Sequence, residues 1–499
     1  MTRRRTGQSP IVQQTVSSPP DELPNRIYST AFGIAIHPKR DGAESASSSV
    51  SSSPHGTADA GASSKKKILY TIVKAELLIP GDGAPLEDGG LVIENDLIAW
   101  VGPARAVPSK YTTASHRAFA VPVLMPGLWD VHAHFGGEPP DTTPTDVGAL
   151  FLEHPATSGA RLTRGCWEAL QRGYTSLRDV AGYGCELARA IDDGSVAGPH
   201  VYSVGACLSQ TAGHGDIFAL PAGDVHRSFG LAGGATPGHW GSTQTLLVDG
   251  VDECRRAVRL QIRRGARAIK IFASGGVLSL DDDPLCAQFS PEELAVIVSE
   301  AARQRRLVAA HVHGKPGILA AVRAGVATVE HVSFADEECV ALIKERGTIY
   351  VATRTIVDML LRSGGKGLSK YQWEKAQLCG SNHLKAYKMA IEAGVPVALG
   401  TDTAPGFNMA MELEHAVLAG LSPLEAIKAA TANGPLTVGE MAPKTGQLKA
   451  GYEADILGVL YNPVEDVKIL QNKENIGWVW KSGRLFKGPG VGPWGEDPL

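Results

Sequence analysis

The sequence predicts an α/β chain: a (β/α)8 TIM barrel carrying a small β-sandwich domain formed from both ends of the chain. Three observations predict it. Eight short apolar runs recur between Val123 and Thr403, most of them followed by a segment whose apolar residues fall at three-and-four spacing. Runs of β type, cut by glycine and aspartate turns, precede that stretch and return after it. The 57 glycines and 31 prolines among 499 residues suit many short alternating elements better than long bundles.

Taken in order, residues 1–66 are rich in Ser, Pro, Gly and Ala, as in ESASSSVSSSPHGTADAGASSKKK, and carry too little apolar surface to offset the entropy of ordering. They are expected to be disordered, with the basic trio Lys65 to Lys67 a solvated linker. Residues 67–120, with ILYTIVKAELLIPG and GGLVIENDLIAWVG, form the first part of the β-sandwich. Residues 121–445 form the barrel, whose runs are VLMPGLWDVHAHF, YTSLRDVAG, HVYSVGACL, ARAIKIFASGG, RLVAAHVHG, VATVEHVS, TIYVATR and VPVALGTDT. Their nearly continuous apolar character is that of parallel strands buried on both faces. Segments such as PEELAVIVSEAARQRR and PGILAAVRAG have helical periodicity, and Ser422-Pro423 places a capping residue before a first-turn proline, opening a helix after the eighth strand. Residues 446–499, with GYEADILGVL and IGWVWKSGRLFKG, complete the sandwich and end in a tail.

Composition narrows the function. With 43% hydrophobic and 20% charged residues and a formal net charge of -4, the chain is ordinary for a soluble enzyme and a poor match for a polyanion, so no nucleic-acid partner is expected. Its start lacks the apolar core of a secretory signal, and no stretch approaches a membrane span. No membrane partner is expected, and the sequence default is cytoplasmic. The seven cysteines are odd in number, contain no CxxC and read as free structural thiols.

In such a barrel the catalytic groups project from the carboxyl ends of the strands. Run one ends in His132-Ala-His134, run four holds Lys270, run five ends in His311-Val-His313, run six in His331 and run eight in Asp402. Residues two apart in a strand share a side, so His132 and His134 can reach one ion. An isolated HxH pair is more often two solvated or hydrogen-bonded histidines; His311, His331 and Asp402 at successive strand ends reverse that and favour metal. Imidazole and carboxylate suit Zn2+, with other divalent ions also accommodated. Lys270 lies between Ile269 and Ile271, where an unpaired lysine is costly. It is either an ion-paired core lysine or an amine neutral enough to take up carbon dioxide as a carbamate, which would bridge two metals. His132, His134 and Asp402 would then hold one ion, and His311 and His331 the other. A metal brings the pKa of a bound water towards neutrality, and Asp402 can take that water's proton and pass it to a departing amine.

The stretches MPGLWDVHAHF, KIFASGG, AHVHG, EHVS and ALGTDTAPG resemble the metal-dependent amidohydrolase superfamily in order and spacing. Within it, ARLTRGCWEALQRGYTS, QTAGHGDIFALPAG, FSPEELAVIVSEAARQ, LEAIKAATAN and LFKGPGVGPWGED are similar to the ochratoxin-cleaving amidases of fungi and related Xaa-Pro dipeptidases. The resemblance covers Ile68 to the C-terminus. It implies about two Zn2+ per subunit with Lys270 carboxylated. It also implies hydrolysis of the amide joining phenylalanine to the isocoumarin acid of ochratoxin A, a carboxypeptidase-like preference, and a homo-oligomer, an octamer in the family. His214 in GHGD and His313 in AHVHG match positions where the family contacts substrate carboxylate or carbonyl; each could instead be a structural loop histidine. The chain departs from the family in its serine-rich N-terminus and in the loop GGEPPDTTPTDVGALFLEH.

Overall fold

The structure, a computed structural model, describes residues 70–137, 153–231 and 244–496. The N-terminal segment expected to be disordered, and most of the loop GGEPPDTTPTDVGALFLEH, lie outside the described residues.

The chain opens with β1 (Tyr70–Leu78), β2 (Leu86–Glu94), β3 (Leu97–Pro103) and β4 (His116–Pro126). The strands that follow are β5 (Leu128–Phe135), β6 (Tyr174–Gly182), β7 (His200–Ser203), β8 (Cys207–Ser209) and β9 (Thr245–Leu247). Next come β10 (Ile269–Phe272), β11 (Val308–Val312), β12 (Thr328–His331) and β13 (Ile349–Val351). The last are β14 (Ile456–Val459), β15 (Ile476–Lys481) and β16 (Arg484–Lys487).

Both ends of the chain meet in one seven-stranded sheet, ordered β16-β15-β14-β4-β1-β2-β3. It curls on itself, because the edge strand β3 bonds back to the segment before β14, Ile98 N to Tyr452 O and Gly451 N to Ile98 O, both 2.8 Å. The curl encloses an apolar core of Val73, Leu91, Ile93, Val121, Ile456 and Trp480, among others. In β1 the alternation is visible residue by residue: Lys74 and Glu76 are exposed, Val73 and Ala75 buried.

The barrel strands are parallel. β5, β6 and β7 pair in order, as do β8, β10, β11, β12 and β13, with β9 added outside on β8. The run HVYSVGACL, one strand by sequence, is two. It breaks at Gly205, whose φ of 73° is left-handed, so that β7 pairs with β6 while β8 pairs with β10. The run VPVALGTDT closes the ring between β13 and β5: Tyr350 N donates to Pro396 O (2.8 Å), Val131 N to Leu399 O (3.0 Å) and His134 N to Thr403 O (3.0 Å). Helices such as Pro291–Arg303 and Lys315–Ala324 follow strands and pack their apolar faces on them. Pro423–Ala429 begins behind Ser422 with a full capping box. All seven cysteines are free; six are buried, and Cys286 is exposed.

Candidate active site

Two residues apart on β5, His132 and His134 both reach Asp402 at the end of the closing strand. His134 Nε2 lies 2.8 Å from Asp402 Oδ1 and His132 Nε2 3.5 Å from the same oxygen. The other nitrogen of His132 is taken: Nδ1 meets Glu330 Oε2 at 2.8 Å. Glu330 is fully buried and held in turn by Thr328 Oγ1 and by Arg178, whose Nη2 donates to Oε1 at 2.7 Å. Arg178 also donates from Nε to the Val131 carbonyl at 2.5 Å. β12 and β6 therefore fix which His132 nitrogen is free and where it faces, the arrangement by which a carboxylate orients a metal-binding imidazole.

A second pair of rings stands beside the first. His311 and His331 lie 4.6 Å apart between centroids, and His132 and His331 5.1 Å. His331 Nδ1 is 2.7 Å from Thr353 Oγ1, which leaves its Nε2. His311 Nε2 is 3.3 Å from the Gly275 carbonyl; a carbonyl only accepts, so this nitrogen carries the proton and Nδ1 is left. Lys270, in β10, is 2% exposed. Among the described residues its Nζ makes no hydrogen bond or ion pair, so the partner required by a core ion pair is missing; Glu330 and Asp402 lie within electrostatic reach. His313 packs edge-on against His311 at 4.8 Å, its Nδ1 2.8 Å from Ser333 Oγ. His214, on the loop after β8, stacks on His311 at 4.4 Å and 20°. The eight residues singled out from sequence thus form one contiguous cluster.

Burial dominates its electrostatics. It pulls His132 down to about 4 and His313 to about 3, holds His311 and His331 well below the ordinary imidazole value, and lowers Lys270. His132, His311 and His331 are thereby biased to the neutral form that coordinates metal, whereas at His134 burial works downward but the hydrogen bond and charge of Asp402 outweigh it and raise the ring. At Asp402 burial works upward, but His132, His134 and Lys270 outweigh it and bring the carboxyl to about 2. Backbone strain collects in the same place: His331, Val332, Thr353 and Asp402 have φ of 71°, 58°, 53° and 60°. Each such non-glycine residue costs on the order of 1–3 kcal/mol and persists where the surroundings fix it.

Several residues that build the site escaped the sequence reading. Asp130 accepts from His132 N (2.9 Å), Thr401 N (3.2 Å) and Thr401 Oγ1 (2.6 Å), tying β5 to the closing strand, and burial pushes it up to about 7. Glu330, Arg178, Thr353 and Ser333 hold the rings from behind. Arg178 and Glu330 did carry a signal, since each is a charged residue inside an apolar run, as Lys270 is.

The donor set fits divalent metal. His132, His134 and Asp402 offer one ligand atom each, all within 4.8 Å of one another, and imidazole with carboxylate is chemistry suited to zinc. The amidohydrolase family model matches residues 123–486. The chain belongs to the amidohydrolase family. It is a hydrolase acting on amide bonds, in a family that is typically metal-dependent. The ochratoxinase of Aspergillus niger is 60% identical over 428 residues, spanning 86% of this amidohydrolase and 88% of the relative. The crystal structure of A. niger ochratoxinase matches with a TM-score of 0.83 at 59% identity, over 87% of this chain and 99% of that one. A Xaa-Pro dipeptidase with bound methionine in the active site matches with a TM-score of 0.73 at 28% identity, over 84% and 100%. The barrel and accessory sheet expected from sequence are the architecture of this family.

Proposed function

We propose that this amidohydrolase is a binuclear zinc enzyme that cleaves the amide bond of ochratoxin A, releasing phenylalanine and the isocoumarin acid. The observation that carries the reading is the convergence of His132, His134 and Asp402, whose ligand atoms lie within 4.8 Å of one another. The 60% identity to ochratoxinase supports the substrate. His132, His134 and Asp402 would hold one ion, His311 and His331 the other, and Lys270, carboxylated on Nζ, would bridge them. Zinc, when bound, would supply a Lewis acid for the amide carbonyl and acidify water. Asp402 would carry the proton, its carboxylate taking one up as base and returning it to the departing amine as acid. His313 and His214 contact the carbonyl and carboxylate of the substrate. The family resemblance further implies a homo-octamer, which light scattering on purified protein checks.

Incubation with ochratoxin A, with and without chelator, tests bond and metal together. Free phenylalanine is expected only without chelator; its absence from metal-replete protein rejects the reading. A second reading, a dipeptidase or carboxypeptidase for which toxin cleavage is incidental, is favoured by the likeness to the Xaa-Pro dipeptidase. Comparing kcat/KM for ochratoxin A with N-acyl amino acids and Xaa-Pro dipeptides separates the two. A preference of about a thousandfold for dipeptides would establish the second.

A further inference from the structure

The loop after β10 runs Gly275-Gly276-Val277-Leu278-Ser279-Leu280-Asp281-Asp282-Asp283 and is fastened at both ends of its span. On one side it is bound to the helix Lys370–Glu392. Tyr371 Oη donates to the Asp282 carbonyl at 3.0 Å and Gln372 Nε2 to the Leu278 carbonyl. Lys375 Nζ donates to the carbonyls of Ser279 (2.7 Å) and Asp282 (3.2 Å) and to Asp282 Oδ1 (3.1 Å). The side chains of Lys375 and Asp282 are 5% and 2% exposed, a buried ion pair with its hydrogen bonds filled. On the other side the loop grips His214: Nδ1 lies 2.8 Å from Ser279 Oγ and 3.4 Å from Asp282 Oδ2. The Ser279 hydroxyl donates to Asp282 Oδ1, so it accepts from His214, and Nδ1 carries a proton. Gly276 supplies the floor. A Cβ there would stand 2.1 Å from His214 Cε1 and 2.4 Å from Nε2, so only glycine lets the ring lie between this backbone and His311.

We propose that Asp282 and Lys375 are positioning residues for substrate carboxylate recognition. Lys375 pins Asp282 to the helix, Asp282 and Ser279 fix the plane of His214, and His214, as the imidazolium partner of Asp282, donates from Nε2 to the free carboxylate of the amide substrate. The inference rests on the proposed reading of His214 as a carboxylate contact. It adds that the selectivity for a C-terminal carboxylate is set from a helix whose side chains make no hydrogen bond or ion pair with the proposed metal ligands among the described residues.

The test uses holoenzyme and a matched pair, N-benzoyl-L-phenylalanine and its C-terminal carboxamide, with binding of L-phenylalanine against L-phenylalaninamide measured by calorimetry as a readout free of turnover. Asp282→Asn and Lys375→Met are expected to raise KM for the acid about tenfold or more with kcat little changed, leaving the carboxamide unaffected. Lys375→Arg is expected to retain most of the wild-type preference, and L-phenylalanine binding should weaken in step. Gly276→Ala, which pushes on the ring and leaves the ion pair whole, should reproduce the loss and guards against a folding defect in the charge variants. Wild-type protein that cleaves neither compound and binds no L-phenylalanine overturns the underlying reading, and this inference with it. Wild-type protein that prefers the acid, with Asp282→Asn and Gly276→Ala keeping that preference, overturns the inference alone.

Discussion

At the carboxyl ends of the barrel strands His132, His134 and Asp402 bring their ligand atoms within 4.8 Å of one another, and at the joint between barrel and sheet His200, Glu453 and Asp455 do the same. The residue types are alike; the use of their atoms is not. At the joint, Asp455 Oδ1 accepts from Ser482 N (2.9 Å) and Oδ2 from Thr445 Oγ1 (3.0 Å). His200 Nε2, at the start of β7, lies 3.3 Å from Ser482 Oγ and 3.5 Å from each carboxylate, and the neighbouring Lys481 is buried with Nζ on the Gly198 carbonyl. Asp455 is thus spent on its neighbours, while the buried Glu453 Oε2 has no hydrogen bond among the described residues and meets His200 at 3.5 Å. In the active site His132 Nδ1 is held from behind by the Glu330 carboxylate and His331 Nδ1 by Thr353, so both rings keep Nε2 for a ligand, while His134 Nε2 faces Asp402 at 2.8 Å. What separates a metal centre from an ionic joint here is which atom of each side chain is already occupied.

The sharpest way to break that comparison is to delete one member from each cluster. Lys270→Ala is expected to lower turnover by about a thousandfold or more and to cut metal content, because the proposed bridge between two cations is gone. His200→Ala is expected to keep metal content unchanged and kcat/KM within about threefold. Elemental analysis and steady-state kinetics on both variants decide it; equal metal loss in the two would erase the distinction.

A smaller effect is expected one step behind the ligands. Glu330→Gln removes the charge that holds His132 Nδ1 while nearly keeping the shape, and zinc affinity of the chelated protein should fall about 10–100-fold by calorimetric titration. Asp455→Asn, the equivalent change at the joint, should leave zinc affinity where it was. Glu330→Ala would in addition strand Arg178, which is fully buried, and cost about 3–5 kcal/mol of stability.

The unequal legibility of these residues has a physical cause. His132, His134, His311, His331 and Asp402 could be read because strand ends in a barrel converge whatever the register, and Lys270 because a lysine between two isoleucines is anomalous in itself. Glu330 and Arg178 are equally anomalous in their runs, but which ring Glu330 serves depends on the lateral register that sets His311 opposite Glu330 and Val312 opposite His331. Nothing local in EHVS encodes that. The break at Gly205 was hidden for a similar reason: HVYSVGACL is apolar throughout, and only the pairing of its halves with different neighbours shows that one strand must become two. The sheet joining both ends of the chain was legible because its alternation is local, whereas its curl onto the segment before β14 is a long-range bond.

The smallest expected effect belongs to the joint, and its pH dependence sharpens what the joint is for. Burial, and then the charge of Asp455, raise Glu453 above the ordinary carboxylate value, with His200 working the other way. A carboxyl whose folded value is raised favours the folded state at low pH and progressively loses that contribution as pH climbs through its folded value. Removing His200 takes away the group that offsets this, so Glu453 should rise further. An imidazole opposes that rise only while it is protonated, so His200→Ala is expected to cost about 1–2 kcal/mol in denaturant unfolding near pH 6 and less near pH 8. A penalty that does not change between pH 6 and pH 8 would mean that His200 contributes by packing alone, and the joint would then differ from the active site in lacking any electrostatic role for its histidine.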